Sequence, residues 1–193
     1  MDRKTVVIAT GGWDPLHIGH IVYLQAAACL GNMLVVGVNS DAWLVRKKGK
    51  PFLPFLERYV IMSNLRMVDR AIGFRDDDDT AIDCIREVRR TFPKDWYDLI
   101  FANGGDRTIK NIPELKCEKE FGVRFVFGVG GSDKRNSSSD ILAKWTTRKG
   151  AERLSIPLKD LKKNDKLRYN YLVRNGLIKT SADSRSISVK YKP

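Results

Sequence analysis

The chain has 193 residues, of which 42% are apolar and 30% charged, a composition typical of one globular domain long enough to bury a core. No apolar run is long enough to cross a bilayer and the start does not resemble a signal peptide, so we expect a cytoplasmic protein without membrane association. The charge of +12 is uneven: residues 150–193 hold 11 basic and 4 acidic residues, a net +7, which predicts a domain at 1–149 and a basic C-terminal extension at 150–193.

Apolar runs and amphipathic segments alternate along the first 149 residues. The runs that predict strands are Thr5–Ala9, Met33–Val38, Arg70–Gly73, Leu99–Ala102 and Val123–Phe127. The segments that predict helices are Ile18–Leu30, Glu57–Met67, Thr80–Thr91 and Pro113–Phe121. This alternation predicts an α/β fold, with a Rossmann-like parallel sheet and helices on both of its faces. Ligands of such sheets bind beyond the carboxyl ends of the strands, so the loops that follow strands are the candidate site.

The loop after the first predicted strand reads Gly-Gly-Trp-Asp-Pro-Leu-His-Ile-Gly-His at residues 11–20. Gly11 and Gly12 allow a tight turn and close approach of the backbone to a ligand. His17 and His20, the only histidines, lie three residues apart at the predicted start of a helix, where both imidazoles project on one face. Because a helix N-terminus favours phosphate, the pattern indicates phosphoryl chemistry. The alternative is two histidines that merely cap or pack.

This loop resembles the nucleotide-binding motif of the cytidylyltransferase-like nucleotidyltransferases, which share His-x-Gly-His with class I aminoacyl-tRNA synthetases. The resemblance extends over residues 4–146 and is greatest to the branch that adenylates heptose 1-phosphate, less to that of the glycerol-3-phosphate cytidylyltransferases. The other segments that match the family are Val38–Asp41, Lys48–Gly49, Leu56–Arg58, Asn103–Asp106 and Ser137–Ile141. The resemblance implies transfer of a nucleoside monophosphate to a phosphorylated sugar or polyol, with release of pyrophosphate.

Such a transfer depends on in-line positioning and on donors where charge accumulates. The resemblance implies that His17 and His20 donate hydrogen bonds to the α- and β-phosphates, helped by backbone amides near Gly12. Lys48 lies in a basic stretch, interrupted by glycine, that we interpret as a loop closing on a phosphate, the alternative being solvated surface. Arg58 matches a family arginine, although its spacing from the preceding glutamate is one residue shorter here, and is a candidate phosphate ligand.

Two neighbours of the glycines have structural or nucleotide-binding interpretations. Trp13 stands where the family usually has phenylalanine, and we expect it to be an apolar plug under the loop. For Asp14, one interpretation is structural, with the carboxylate accepting from amides of the turn at Leu16 or His17. The other is contact with a metal or with the acceptor.

Two later loops complete the candidate nucleotide site. By resemblance, the loop with Gly105 and Asp106 borders the base and the acceptor, and the alternative is a glycine turn with a capping aspartate. Ser137, Ser138 and Ser139 correspond to a family Ser-Thr-Thr segment whose hydroxyls and amides hold the β- and γ-phosphates; the alternative is an N-cap. Gly-Gly-Asp, and the lack of an arginine at 132, favour ATP over CTP as the donor. CTP with glycerol phosphate or a similar phospho-alcohol is the alternative.

No residue set predicts a metal cage, so we expect Mg²⁺ to arrive with the nucleoside triphosphate. We interpret Asp76–Asp79 as a solvated loop that caps a helix at Thr80. The three cysteines lack metal-ligand spacing and are expected to be buried, reduced thiols; they are Cys29, Cys84 and Cys117.

The expected partners are a nucleoside triphosphate, a phosphorylated small-molecule acceptor and, by resemblance, a second copy of the chain in a homodimer. The basic extension, with Tyr169 and Tyr171 among its cations, raises an alternative of another class, a nucleic-acid-binding protein on the same fold. Frequent apolar residues from Leu154 to Val173 favour packing on the body or on a second subunit instead. Ile187 lies in an alternating pattern that predicts an edge strand.

Overall fold

The computed structural model describes residues 3–105, 107–131, 137–147, 155–157 and 186–188. The chain divides into two compact units, Met1–Lys144 and Trp145–Pro193. In the second unit the described strands are β6 (Ser155–Pro157) and β7 (Ser186–Ser188), which pair antiparallel. Ile187, predicted to lie in a strand, lies in β7. The cations and tyrosines of the extension on which the other expectations depended lie outside the described residues.

The first unit contains a five-stranded parallel sheet in the order β3-β2-β1-β4-β5. Its strands are β1 (Lys4–Gly11), β2 (Met33–Val38), β3 (Arg70–Gly73), β4 (Tyr97–Ala102) and β5 (Val123–Val126). Its helices are α1 (Ile18–Ala28), α2 (Asp41–Lys48), α3 (Phe55–Ser63), α4 (Ile82–Thr91) and α5 (Glu118–Phe121), which a 3₁₀ turn at Pro113–Cys117 precedes. A sixth helix, α6 (Ser138–Thr147), continues into the second unit. The α/β fold predicted from the sequence is confirmed.

The central strand explains why helices cover both faces of the sheet. Val6, Val7, Ile8 and Ala9 are all fully buried, although successive side chains of a strand point to opposite faces. Val7 and Ala9 pack in a cluster with residues of α1 and α3, whereas Val6 and Ile8 pack in a cluster with residues of α4. Each buried valine or isoleucine side chain of this strand contributes about 1.5–3 kcal/mol to folding. The carboxyl end of β1, where residues 11–20 begin, is therefore held at the centre of the sheet.

The sequence expectation for the stretch after β2 was wrong, because this stretch is helical. Ser40 caps α2, its Oγ accepting a hydrogen bond from the Trp43 amide at 3.0 Å, and Gly49 ends the helix with a φ of 85°. Leu44 anchors the helix in the core. A serine cap and a terminating glycine are helix signals, but the run of cations between them suggested a loop.

Three smaller expectations also need correction. Asp76 is buried rather than solvated, and its carboxylate accepts hydrogen bonds from the Asn39 Nδ2, the Ser40 amide and the Ser40 hydroxyl. The helix that was expected to begin at Thr80 begins at Ile82. Cys29 is exposed, whereas the other two cysteines are buried as predicted. None of the helices among the described residues has the length and apolar character needed to span a membrane.

Candidate active site

A cavity of about 670 Å³ opens where β1 and β4 end. Its described walls come from the loop before α1, the first turns of α1, the end of α2, the loops after β4 and β5, and the start of α6. A volume of this size suits a small-molecule ligand. Of the residues predicted to form the site, the cavity brings together Gly11, Trp13, His17, His20, Lys48, Gly105, Ser137, Ser138 and Ser139.

The two histidines are held by the helix end that they cap. His17 is the N-cap of α1, and its Nδ1 accepts a hydrogen bond from the Gly19 amide at 3.1 Å. The Nδ1 of His20 in turn accepts from the His17 amide at 3.3 Å, which completes a capping box. The rings stack with their centroids 3.8 Å apart. Because each Nδ1 is an acceptor, the proton of a neutral ring lies on Nε2, which makes Nε2–H the donor for a ligand.

The surroundings keep both imidazoles neutral. Burial lowers the pKa of His20 to about 3, with further contributions from the neighbouring His17 and from the charge of Lys48. Burial and Lys48 also lower the pKa of His17. At neutral pH the pair therefore consists of two uncharged rings. Such rings can donate hydrogen bonds to phosphate oxygens as charge develops there.

Lys48 is the last residue of α2, not part of a loop. Its Nζ donates to the Asp14 carbonyl at 2.7 Å. Burial lowers its pKa, Asp14 acts in the opposite direction, and the charge of Arg58 lowers the pKa further. The ammonium therefore lies next to the histidine pair. Its hydrogen bond joins it to the backbone of the loop that carries the two histidines.

Trp13 fills the space beneath the loop. The indole is 3% exposed, and its Nε1 donates to the Gly37 carbonyl at 3.0 Å. The ring meets His20 edge-on at a centroid distance of 5.2 Å and stacks on Tyr23 at 6.1 Å. Its packing therefore supports one face of the histidine pair.

Asp14 and Gly12 support the site without lining it. Both oxygens of the buried Asp14 carboxylate accept backbone hydrogen bonds, from the Phe52 amide at 2.7 Å and from the Leu53 amide at 2.8 Å. The expected amide partners at Leu16 or His17 are therefore replaced by partners between α2 and α3. A Cβ on Gly12 would lie 2.8 Å from a methyl carbon of Leu44, so glycine lets α2 pack against the loop.

The structure does not bring Arg58 to the cavity, where a phosphate ligand was expected. Its side chain is fully buried in the first turn of α3. The guanidinium donates to the carbonyls of Leu53, Gly12 and Asn39 at 2.8–3.0 Å and to the Asp41 carboxylate at 2.7 Å. These contacts join the glycine loop, the end of β2 and the start of α3. The match of this position to a family arginine could not show that the guanidinium N–H groups bind the protein itself.

All three serines line the cavity, and Ser137 also caps α6. The Ser137 Oγ accepts from the Asp140 amide at 3.0 Å, and the Ser138 Oγ donates to the Pro15 carbonyl at 3.2 Å. The second of these hydrogen bonds joins the start of α6 to the loop before α1. Gly105 lines the cavity with a φ of +66°, and Asp106 lies outside the described residues.

A sequence model of the cytidylyltransferase-like family matches residues 8–144, and this span contains every described residue of the cavity. The chain belongs to the cytidylyltransferase-like family of nucleotidyltransferases.

Several proteins are similar to this chain. Bifunctional protein HldE of Syntrophotalea carbinolica is 37% identical over 123 residues, which is 63% of this chain and 23% of that protein. HldE of Streptomyces coelicolor is 41% identical over 127 residues, 65% of this chain and 25% of that protein. The chain thus spans about a quarter of the length of these curated relatives. A bifunctional NMN adenylyltransferase/ADP ribose pyrophosphatase from Francisella tularensis shares the fold, with a TM-score of 0.51, 11% identity and coverage of 89% of this chain and 49% of that one.

Beyond the residues that the family motifs suggested, the cavity includes Tyr23, Arg107 and Gly130. Tyr23 donates from its hydroxyl to the Ala102 carbonyl at 2.8 Å. A Cβ on Gly104 or Gly130 would come within 3.0 Å of Tyr23, so glycines let the loops after β4 and β5 close around it. The glycines at 128–131, directly after a strand, could have indicated this wall from the sequence. Tyr23 lies in an apolar helix face and gave no such signal.

The described part of the chain contains no cluster of metal-ligating side chains. Within those residues no group of three or more His, Cys, Asp or Glu side chains could hold a metal ion. Of the described residues lining the cavity, those with a formal charge at neutral pH are Lys48 and Arg107, both cations. The described cavity wall is therefore suited to anions.

Proposed function

We propose that this domain transfers the AMP moiety of ATP to the phosphate group of a phosphorylated sugar and releases pyrophosphate. An oxygen of the acceptor phosphate attacks the α-phosphorus and forms a new P–O bond. The bond between the α-phosphorus and the oxygen that bridges to the β-phosphorus breaks, and that electron pair leaves with pyrophosphate. The observation that carries the proposal is the pair of neutral, stacked histidines at the start of α1, with Nε2–H as their donors.

Three features of the cavity support the proposed binding of the triphosphate. The first is the Nε2–H groups of His17 and His20, which suit the oxygens of the α- and β-phosphates because charge accumulates there during the transfer. The second is the ammonium of Lys48 beside them. The third is the start of α6, where amides and the hydroxyl of Ser139 suit the γ-phosphate. Mg²⁺ enters as part of the substrate MgATP, on the triphosphate oxygens, and offsets charge on the leaving pyrophosphate.

The acceptor class rests on the sequence. The resemblance to the branch that adenylates heptose 1-phosphate supports a sugar phosphate, and the same branch supports ATP as donor.

The resemblance also leads us to propose a homodimer, which light scattering on the full chain tests. Two copies per particle are expected, and a monomer at micromolar concentration would contradict that expectation.

The experiment incubates the full chain with Mg²⁺, with ATP or CTP, and with heptose 1-phosphate, glucose 1-phosphate, glycerol 3-phosphate or NMN, and measures pyrophosphate release. We expect release with ATP and a sugar 1-phosphate, and none after chelation of Mg²⁺ by EDTA. Release with CTP and glycerol 3-phosphate would replace both substrates while keeping the reaction class. No release with any pair, together with salt-sensitive binding of RNA, would instead support the nucleic-acid-binding alternative.

A further inference from the structure

Two cations reach the described cavity wall from different parts of the fold. Lys48 comes from the end of α2 and lies by the histidine pair, whose pKa values its charge lowers. Arg107 comes from the loop after β4, and its charge opposes the rise that burial causes in the pKa of Tyr23. The two cations therefore lie on different walls of the cavity. A transfer between two phosphate-bearing substrates brings two anions into one cavity, and the histidine wall serves only one of them.

A buried carboxylate forms an ion pair with Arg107. Glu114 is 2% exposed and belongs to the 3₁₀ turn before α5. Its Oε1 accepts from the Ala81 amide at 2.8 Å, which ties the turn to the start of α4. Its Oε2 is buried and has no hydrogen-bond partner, and the Arg107 Nη1 lies 3.8 Å away. A carboxylate oxygen buried in this way is stabilised by a nearby cation, and Arg107 supplies it.

Arg107 has further N–H donors that can bind a ligand. The Arg107 side chain is 45% exposed although it pairs with a buried partner. A guanidinium has five N–H donors in a planar fork, and the fork matches the oxygens of a phosphate in pairs. Ion pairing with Glu114 reduces the conformational entropy that such a long side chain loses when it binds a ligand.

We propose that Arg107 binds the phosphate group of the acceptor and that Glu114 is its positioning residue. The inference rests on the proposed function, in which His17, His20, Lys48 and the start of α6 hold the triphosphate. The attacking phosphate and the α-phosphate are both anions, so a cation on the attacking group offsets their repulsion. A paired contact also fixes which oxygen faces the α-phosphorus, as in-line attack requires.

The test separates the two phosphate sites by calorimetry on the full chain. A non-hydrolysable ATP analogue with a methylene bridge between the α- and β-phosphorus is titrated first. Inorganic phosphate and heptose 1-phosphate are then titrated into protein saturated with that analogue. We expect Arg107→Ala to weaken binding of both phosphate probes about tenfold or more, the size of one charge-assisted contact, and to leave analogue affinity within about twofold. Arg107→Lys restores only part of the loss, because an ammonium lacks the fork.

The control is Arg90→Ala, which removes an exposed arginine of α4 that pairs with Glu87. It is expected to leave both affinities unchanged. The proposal is overturned if Arg107→Ala leaves phosphate binding intact, if it weakens the analogue by the same factor as the phosphate probes, or if the wild type binds neither probe. Failure of the proposed function has a different signature, since the wild type would not bind the analogue. Phosphate titrated into the nucleotide-free wild type and Arg107→Ala proteins would then still test the arginine.

The role of Glu114 has its own test. Glu114→Gln keeps the shape and an oxygen for the Ala81 amide but removes the charge beside Arg107. We expect a loss of phosphate affinity of about threefold, smaller than that of Arg107→Ala, and no further loss in the double variant, because Glu114 acts through the arginine. Thermal unfolding of each variant verifies the fold. An equal loss in the wild-type and Arg107→Ala backgrounds would show that Glu114 supports only the fold and would contradict its positioning role.

Discussion

The polar side chains in and around residues 11–20 form two layers. The layers differ in which of their atoms hydrogen-bond to the protein. In the supporting layer, both carboxylate oxygens of Asp14 and the guanidinium of Arg58 bind backbone groups of neighbouring segments. In the cavity layer, His17 and His20 use only Nδ1 for the backbone, which leaves the tautomer with Nε2–H as donor. The difference teaches that a polar residue in a motif can hold the loop or meet the ligand. The atoms engaged by the protein distinguish the two roles.

The comparison predicts the largest effect for the cavity layer. His17→Asn keeps a side-chain oxygen that can cap α1 but removes the imidazole, and His20→Asn removes the second donor. Each variant should lower kcat about 10²- to 10³-fold, because one preorganised donor to developing charge is lost. Pyrophosphate release at saturating substrate measures this effect. Unchanged thermal unfolding is the control, and near-normal turnover in both variants would remove the histidines from the chemistry.

For the supporting layer the comparison predicts lost stability. Arg58→Met removes the buried guanidinium and leaves the carbonyls of Leu53, Gly12 and Asn39 without that donor. The free energy of unfolding in urea should fall by about 3 kcal/mol or more. Arg66→Met, at an exposed arginine, is the matched control and should change little. If the variant kept normal stability and lost only ATP affinity, Arg58 would be a phosphate ligand and not a supporting residue.

A smaller loss is expected at Asp14. Asp14→Asn replaces one acceptor oxygen by an amide nitrogen, which then faces a backbone N–H. We expect a loss of about 1–3 kcal/mol in unfolding free energy. We also expect kcat to remain within about tenfold of the wild type at a temperature where the variant is folded. Unaltered stability together with a loss of activity as large as that of His17→Asn would place Asp14 in the cavity layer instead.

The smallest predicted effect concerns pH. The pKa of His20 is about 3 in the folded protein, below the ordinary value of 6.5, so the unfolded chain binds a proton that the folded protein does not. Stability from this group is complete above about pH 6.5 and decreases as the pH falls toward about 3. Urea unfolding between pH 7 and pH 5 should show a shallower loss in His20→Asn than in the wild type. Equal slopes would mean that His20 titrates normally in the folded protein.

Local patterns in the sequence determined the parallel sheet and the position of both histidines at the start of α1. The run at Val6–Ala9 is apolar on both faces of a strand, and only a sheet covered on both sides buries it. The spacing of His17 and His20 is that of an N-cap and its N3 residue, which brings the two rings together at the start of α1. These properties depend on near neighbours along the chain, so a linear pattern can reveal them.

Tertiary structure alone decided which polar residues line the cavity. Asp14 pairs with amides 38 and 39 positions away, and Arg58 with a carbonyl 46 positions away, so no local pattern could name these partners. The same holds for Arg107 and Glu114, which the turn before α5 brings within 3.8 Å of each other at the edge of the cavity. Hydrogen bonds and ion pairs are short-range in space but can join any two positions in the chain. Their partners therefore become known only once the fold has brought them together.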